Sequence, residues 1–278
     1  MNIQSCLPKG AGFSVAENKC RIVSNEAVNE EYRLLIAEAD DVALSARAGQ
    51  FFHLLCPSVG GEKPFLRRPM SIYRVDPEAG RIGFLYKVTG KGTRALSSLR
   101  PDDTIDAMGP LGQGFSLPSG VRNVLMVGRG VGLATLAPLA RLATKSEAAV
   151  TAVLSARRRD LLMSRQELEN AGARVIEVTD EEGTSQPETL EALLCDLHAQ
   201  LPFDFAATCG SNRLFQLVRS LCAEWNIPGE TALEAFMGCG TGMCYACVVP
   251  TMDANGKEQY RRVCWDGPVF PISEALGW

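Results

Sequence analysis

Histidine is nearly missing from this sequence: there are two, His53 and His198. No His-x-x-x-His pair and no glutamate-flanked zinc helix can be assembled from them, which removes most hydrolytic zinc enzymes. No apolar run reaches about 18 residues, so a membrane-crossing helix is not expected. Met1 to Lys19 has no long apolar core behind a basic start, so no secretory signal is expected and the expected compartment is the cytoplasm. A basic excess is also absent. The 28 Lys and Arg against 32 Asp and Glu leave a net charge of −4, which argues against a generic nucleic-acid binder. No internal repeat or low-complexity tract is present. What remains is ordinary globular composition, 46% hydrophobic and 22% charged, over 278 residues, a length for about two domains.

Cysteine is the residue in surplus, with ten. Reducing compartments disfavour structural disulfides, so a tight cluster there points to metal or redox chemistry. Six are scattered (Cys6, Cys20, Cys56, Cys195, Cys209 and Cys222) and read as packing residues. The other four form the run Cys239-x4-Cys244-x2-Cys247-x16-Cys264. Cys-x4-Cys-x2-Cys with a distant fourth cysteine is the plant-type [2Fe–2S] spacing. Gly238, Gly240 and Gly242 interleave with the first ligands and permit tight turns that bring amide N–H groups to the sulfurs. The competing readings are a zinc site and ordinary buried cysteines. Zinc usually takes two paired Cys-x2-Cys or histidine elements, whereas here one pair is flanked by two single cysteines.

The chain changes texture twice. Residues 20–117 read as short strands broken by Gly and Pro: Tyr32 to Ala37, Gln50 to Leu55, Met70 to Val75 and Arg81 to Val88. That rhythm predicts a closed antiparallel barrel. Residues 118–226 alternate strands (Val124 to Gly128, Ala148 to Leu154, Arg174 to Thr179, Asp204 to Thr208) with helices (Leu133 to Thr144, Leu161 to Ala171, Pro187 to Gln200, Arg213 to Trp225). Alternation predicts a doubly wound parallel sheet. Residues 227–278 carry the cysteine cluster and little regular pattern, so their fold is expected to depend on a bound metal.

Two further segments carry polar chemistry. Arg67-Arg68-Pro69-Met70-Ser71 puts two arginines and a hydroxyl at a strand start, a set suited to a phosphate beside a planar ring. Leu85-Tyr86-Lys87 and Gly90-Lys91-Gly92-Thr93 add backbone donors and a second phosphate contact, and Gly109 to Phe115 reads as a rigid turn. An isolated Arg-Pro pair is more often a strand boundary with a solvated side chain. Gly128-Arg129-Gly130-Val131-Gly132 joins strand to helix, where free N–H groups and the helix dipole cradle pyrophosphate. Its Gly-x-Gly-x-Gly spacing is short of the full dinucleotide fingerprint, and such turns also serve close helix–strand packing. Arg157-Arg158-Arg159 reads as an adenosine-phosphate contact or as a solvated basic turn.

In combination, the Arg68-Pro-Met-Ser71 barrel, the Gly128 to Gly132 turn and the carboxy-terminal cysteines resemble the ferredoxin-reductase-like flavoproteins. Gly238 to Val249 and Arg262 to Phe270 resemble in particular the iron–sulfur electron-transfer subunits of dihydroorotate dehydrogenase type B. The resemblance runs from about Cys20 to Trp278. It implies an FAD-binding barrel (20–117), an NAD-binding α/β domain (118–226) and a [2Fe–2S] subdomain (227–278). FAD would meet Arg68, Pro69, Met70 and Ser71, then Leu85, Tyr86 and Lys87, then Gly92 and Thr93. The cluster ligands would be Cys239, Cys244, Cys247 and Cys264, and NAD would meet the turn of Gly128, Gly130 and Gly132. No residue is expected to act as a general acid or base. The implied partner is a catalytic subunit oxidising dihydroorotate to orotate in pyrimidine biosynthesis, commonly in a heterotetramer of two such pairs.

Two departures touch the nucleotide side. Arg129 stands where the family usually has a small glycine, and Cys209-Gly210-Ser211-Asn212 lacks the usual proline after Cys-Gly. Residues 1 to about 18 precede the family's usual start. The alternatives are a related NAD(P)H-dependent reductase subunit, of ferredoxin/NADP or sulfide-dehydrogenase type, a zinc-stabilised scaffold, and a redox-sensing binding protein.

Overall fold

The computed structural model describes residues 15–61, 63–253 and 255–277. Most of the stretch read for a secretory signal, together with Cys6, lies outside the described residues.

The first sheet has seven strands: β1 (Ala16–Ala27), β2 (Tyr32–Glu38), β3 (Phe51–Leu55), β4 (Arg68–Ser71), β5 (Arg74–Asp76), β6 (Arg81–Lys87) and β7 (Thr104–Leu111). Its order is β4-β3-β7-β1-β2-β6-β5, every pair antiparallel. The two end strands, β4 and β5, are separated by only Ile72 and Tyr73, so the sheet curls until its ends meet. Hence the single strand expected over Met70 to Val75 is two. At the junction the Ile72 N–H donates to Gln50 O (3.0 Å) on one side and the Tyr73 N–H to Gly83 O (2.9 Å) on the other. Period-two burial fills the barrel: Cys20 and Ile22 from β1, Leu35 and Ala37 from β2, and Phe52 and Leu54 from β3 are all within 1% of full burial. The segment Gly109 to Phe115, expected to be a turn throughout, begins inside β7. Two short helices belong to this unit, α1 (Asp41–Leu44) and α2 (Lys91–Ser97).

The second unit has β8 (Asn123–Arg129), β9 (Ala149–Ala156), β10 (Arg174–Thr179) and β11 (Phe205–Cys209), all parallel, with α3 (Gly132–Lys145), α4 (Arg165–Asn170), α5 (Pro187–Gln200) and α6 (Asn212–Glu224). The central strands are buried almost throughout, as expected of a sheet covered on both faces. Helix α4 is shorter than the helix expected over Leu161 to Ala171. Leu162 and Met163 are extended or buried instead, and Ser164 adopts a left-handed φ of 66° that starts the helix late.

The tail has more order than its sequence suggests: β12 (Gly229–Ala232), β13 (Val248–Met252), β14 (Glu258–Arg262) and β15 (Val269–Pro271). Strand β12 extends the parallel sheet and β15 adds an antiparallel edge, giving the order β10-β9-β8-β11-β12-β15, and β13 and β14 form a hairpin. Short, isolated strand signals were illegible in sequence because the existing sheet edge supplies their pairing. Strand order reverses between β8 and β11, which opens a crevice at their carboxyl ends, the usual ligand position in such sheets.

One continuous apolar core joins the barrel to the α/β layer, with Tyr32, Tyr73 and Leu85 packed against Met126, Leu133 and Met163. Above it Glu167, almost fully buried, is clasped by Arg74 from the barrel and Arg141 from α3.

Candidate cofactor sites

The carboxyl-terminal ends of β4 and β6 and the start of α2 frame a cleft of about 410 Å³. Among its lining residues are Pro69, Met70, Ser71, Leu85, Tyr86, Lys87 and Thr93, with Phe51 beside them and Val131 entering from the nucleotide turn. That volume and its mostly apolar wall suit a planar ring system. The Ser71 hydroxyl accepts from Thr135 Oγ1 of α3 (2.8 Å), which fixes it between barrel and α/β layer. Tyr86 contributes its backbone side only: its ring lies in the barrel core and its hydroxyl donates to Asn25 Oδ1 (2.9 Å). The Lys87 ammonium is paired with Glu31 (2.8 Å) and sits over the Tyr32 ring.

The adjacent arginines differ. Arg67 is only 17% exposed and bonds Asp106 Oδ1 (2.7 Å), Glu17 (2.9 Å) and the carbonyls of His53 and Asp106. Lys19 holds the other Asp106 oxygen (2.8 Å). Burial opposes ionisation of Asp106, but Arg67 and Lys19 more than offset it and hold the carboxyl below the usual range. Arg67 is therefore a structural tie. Arg68 touches only the backbone carbonyls of Leu66 and Arg67, and its guanidinium lies over Gly92, where a Cβ would stand 2.8 Å from Cζ. Thr93 Oγ1 accepts from the N–H groups of Thr89 (2.9 Å) and Gly90 (3.0 Å), shaping the loop at the start of α2. On the other side of α2, Lys63, Lys91 and Arg94 line a second, basic cleft of about 570 Å³.

At the β8–β11 crevice a smaller cleft of about 230 Å³ contains Arg129, Gly130, Val131, Gly210, Tyr32, Lys87 and Glu234. Of the three glycines read as a nucleotide turn, Gly130 faces this cleft. Gly128 instead lets β8 pack on Leu133 and Leu136, and Gly132 lies so close to Cys209 and Gly210 that a Cβ would stand 2.7 Å from the Gly210 Cα. Both departures have a local account. Arg129 is turned aside onto Ser155 Oγ (2.7 Å) and Asp180 (2.5 Å), and Arg213 holds the same aspartate. Ser211, in place of proline, caps α6 by accepting from the Leu214 N–H (3.4 Å), a contribution of about 1 kcal/mol. The run Arg157 to Arg159 is occupied by the chain's own carboxylates: Glu31, then Glu30 and Asp160, then Glu182 and Glu177.

The cysteines sit on the loop between β12 and β13 and just after β14. Four amide donors point at the four sulfurs: Thr241 N–H to Cys239 Sγ (3.4 Å), Cys239 N–H to Cys244 Sγ (3.4 Å), Cys264 N–H to Cys247 Sγ (3.5 Å) and Gly242 N–H to Cys264 Sγ (3.2 Å). Such donors neutralise charge on thiolate sulfur, as an iron–sulfur group needs. Burial resists ionisation of Cys239, but the Thr241 and Cys244 amides bring its thiol down to about 6. Burial and the adjacent Cys247 push Cys264 up to about 12. Four cysteines at the Cys-x4-Cys-x2-Cys…Cys spacing, each sulfur met by a backbone amide, make a donor set that fits [2Fe–2S]. Cys247 and Cys264 are buried and Cys244 is exposed, so one edge of the site faces solvent.

Leu233, Glu234, Ala235 and Met237 were missed in the sequence, yet they close the wall of the ring-binding cleft. Their position immediately before the first cysteine is the signal that identifies them. Glu234 is open to the cleft but walled in by protein on its other sides, and that loss of water pushes its carboxyl up.

Residues 234–275 match the iron–sulfur cluster binding domain of dihydroorotate dehydrogenase B, and residues 19–115 match the oxidoreductase FAD-binding domain. The electron transfer subunit of dihydroorotate dehydrogenase B (NAD(+)) from Desulforamulus reducens is 34% identical over 84% of this chain and 88% of its own. This chain belongs to the dihydroorotate dehydrogenase B electron transfer subunit family. The Bacillus caldolyticus member is likewise 34% identical, over 92% of this chain and its own full length. Among solved structures, an NADH-dependent reduced ferredoxin-NADP oxidoreductase chain matches with a TM-score of 0.76 at 28% identity, covering 96% of this chain and 91% of that one. The ferredoxin-NADP+ reductase of Plasmodium falciparum shares the fold at a TM-score of 0.57 and 14% identity, over 74% of this chain and 88% of its own. As a family member the chain is an oxidoreductase subunit with a ferredoxin-reductase-like fold, an FAD-binding barrel and an iron–sulfur domain. No helix among the described residues is long and apolar enough to cross a membrane.

Proposed function

We propose that this chain carries electrons from a catalytic subunit that oxidises dihydroorotate, by way of a [2Fe–2S] cluster and FAD, to NAD+. The observation that carries the reading is one segment, Leu233 to Cys247, whose first residues wall the ring-binding cleft and whose cysteines lie a few residues on. A flavin exchanges electrons singly or in pairs, a cluster singly and NAD+ as hydride, so the flavin belongs between the other two.

The chain's own residues then have distinct tasks. Cys239, Cys244, Cys247 and Cys264 hold the cluster, with four amides supporting their charge. Pro69, Met70, Ser71, Leu85, Tyr86 and Lys87 border the flavin ring; Arg68, Gly92 and Thr93 receive its phosphates, and the basic cleft beyond α2 receives its far end. Gly130 admits the nicotinamide nucleotide at the crevice, while Gly128 and Gly132 hold strand, helix and neighbouring loop close enough to form it. Division into an FAD unit (20–117), an NAD unit (118–226) and a cluster unit (227–278) follows these tasks, although the last shares its sheet with the second. Phe236, Met243 and Tyr245, all strongly exposed around the cysteines, form the face we assign to the catalytic subunit. The assembly is two of each chain, in the cytoplasm.

Co-expression with a dihydroorotate-oxidising subunit tests this. The pair should co-purify and reduce NAD+ with dihydroorotate as donor, and neither chain alone should. A second reading, a subunit serving ferredoxin and NADP, is favoured by the 28% identical structural relative. Capture of a ferredoxin-linked partner, with no dihydroorotate-dependent NAD+ reduction by the co-expressed pair, would select it.

A further inference from the structure

His53 is fully buried, and neither ring nitrogen has a hydrogen-bond partner among the described residues. An imidazole left so costs about 1–3 kcal/mol for each unsatisfied group, so a fold that keeps one has a use for it. Its place in the barrel suggests the use. His53 lies two residues beyond Phe51 on β3, hence on the same face, and the two rings meet edge to face at 5.9 Å. Phe51 lines the ring-binding cleft. The opposite side of the imidazole presses on the cysteine loop: a Cβ built on Gly240 would stand 2.8 Å from His53 Nδ1 and 2.9 Å from Cε1. Only glycine fits at 240, both for this approach and for its φ of 73°. The histidine is thus wedged between the cleft wall and the loop that begins with Cys239.

Loss of water on burial, together with the nearby Arg67 and Arg68 charges, brings its pKa down to about 4. At neutral pH the ring is uncharged, with one N–H to give and one nitrogen to receive.

We infer that His53 is a positioning residue for the iron–sulfur group, its ring N–H donating to a sulfide of the bound cluster as a fifth donor beside the four amides. The inference rests on the cluster reading above and deepens it. A donor to sulfur stabilises the more negative, reduced state.

The test uses the purified chain with its cofactors, labelled with 15N-histidine, its cluster reduced and observed by pulsed electron paramagnetic resonance. A 15N coupling is expected that vanishes in His53→Gln and persists in His198→Gln. Dye-mediated titration of His53→Leu should show the cluster couple moved to lower potential with the FAD couple unchanged, and His53→Gln, which keeps an N–H, should recover part of the shift. A reduced cluster without histidine coupling, or a shift confined to the FAD couple, overturns the inference and leaves the cluster reading intact. A wild-type chain that assembles no cluster overturns both. If His53→Leu does not accumulate, the labelled wild-type spectrum decides alone.

Discussion

Arg67 and Arg68 are neighbours in sequence with separable jobs, so one substitution at each should produce opposite signatures. Arg67→Ala removes four bonds: two to Asp106, one to the His53 carbonyl and one to Glu17. Asp106 is 9% exposed and keeps only Lys19, whose own side chain is 70% exposed. Breaking a buried ion pair on one side costs about 3–5 kcal/mol, and the surviving lysine sets the loss at the lower end, about 3 kcal/mol. For a chain of this size that lowers Tm by roughly 6–12 °C. Arg68→Ala removes no side-chain partner, so the apoprotein should melt within about 0.5 kcal/mol of the parent. Its cost should fall on FAD. A charge-assisted bond to phosphate contributes about 1.5–3 kcal/mol, and the flavin Kd should rise by about 10- to 150-fold. Calorimetry of apoprotein and flavin fluorescence titration measure the two halves. If Arg67→Ala loosens FAD without lowering apoprotein Tm, or Arg68→Ala unfolds the chain while flavin affinity holds, the division of labour is wrong.

Three other outcomes are expected. Cys244→Ser should lose iron and visible absorbance and abolish coupling to NAD+, while FAD content stays near that of the parent; iron and labile-sulfide assays check it. Glu230 is buried against the Ser116 N–H (3.0 Å) and hydroxyl (2.5 Å), and loss of water pushes its pKa up. The folded chain therefore keeps a proton that the unfolded chain releases, and this residue's contribution to stability falls as pH rises from about 4.5 through the raised folded pKa. Glu230→Gln should accordingly raise Tm more at pH 8 than at pH 5, as followed by thermal melts across that range. Glu167→Ala leaves Arg74 and Arg141 facing one another at the junction of barrel and α/β layer, and should cost about 3 kcal/mol in a urea melt.

Much of the fold was legible in sequence, for identifiable reasons. Residues 174–179 and 187–200 form their strand and helix at the expected ends, because a β-branched run and a proline at the first helical turn are local signals. Strands β12 and β15 were illegible because three or four residues carry no period, and the edge of the existing sheet supplies their pairing. The cysteine spacing announced its own chemistry. The cleft wall at Leu233 to Met237 and the buried His53 did not, since each acquires meaning only from what the fold sets beside it. Arg67 and Arg68 look alike as letters, and only the location of Asp106 separates a structural tie from a cofactor contact. Similarly, the Arg157 to Arg159 run is basic as letters, and only the fold sets Glu31, Glu30 and Glu182 opposite it.

The central claim is that one loop joins a two-iron cluster to a flavin. It is tested most directly by the visible spectrum of the purified chain, recorded anaerobically before and after NADH, with iron, labile sulfide and FAD counted per chain. A yellow-brown protein with two irons, two sulfides and one flavin per chain, bleached in both flavin and cluster bands by NADH, is the predicted result. A colourless protein, or one whose flavin bleaches while a bound cluster stays oxidised, would contradict it.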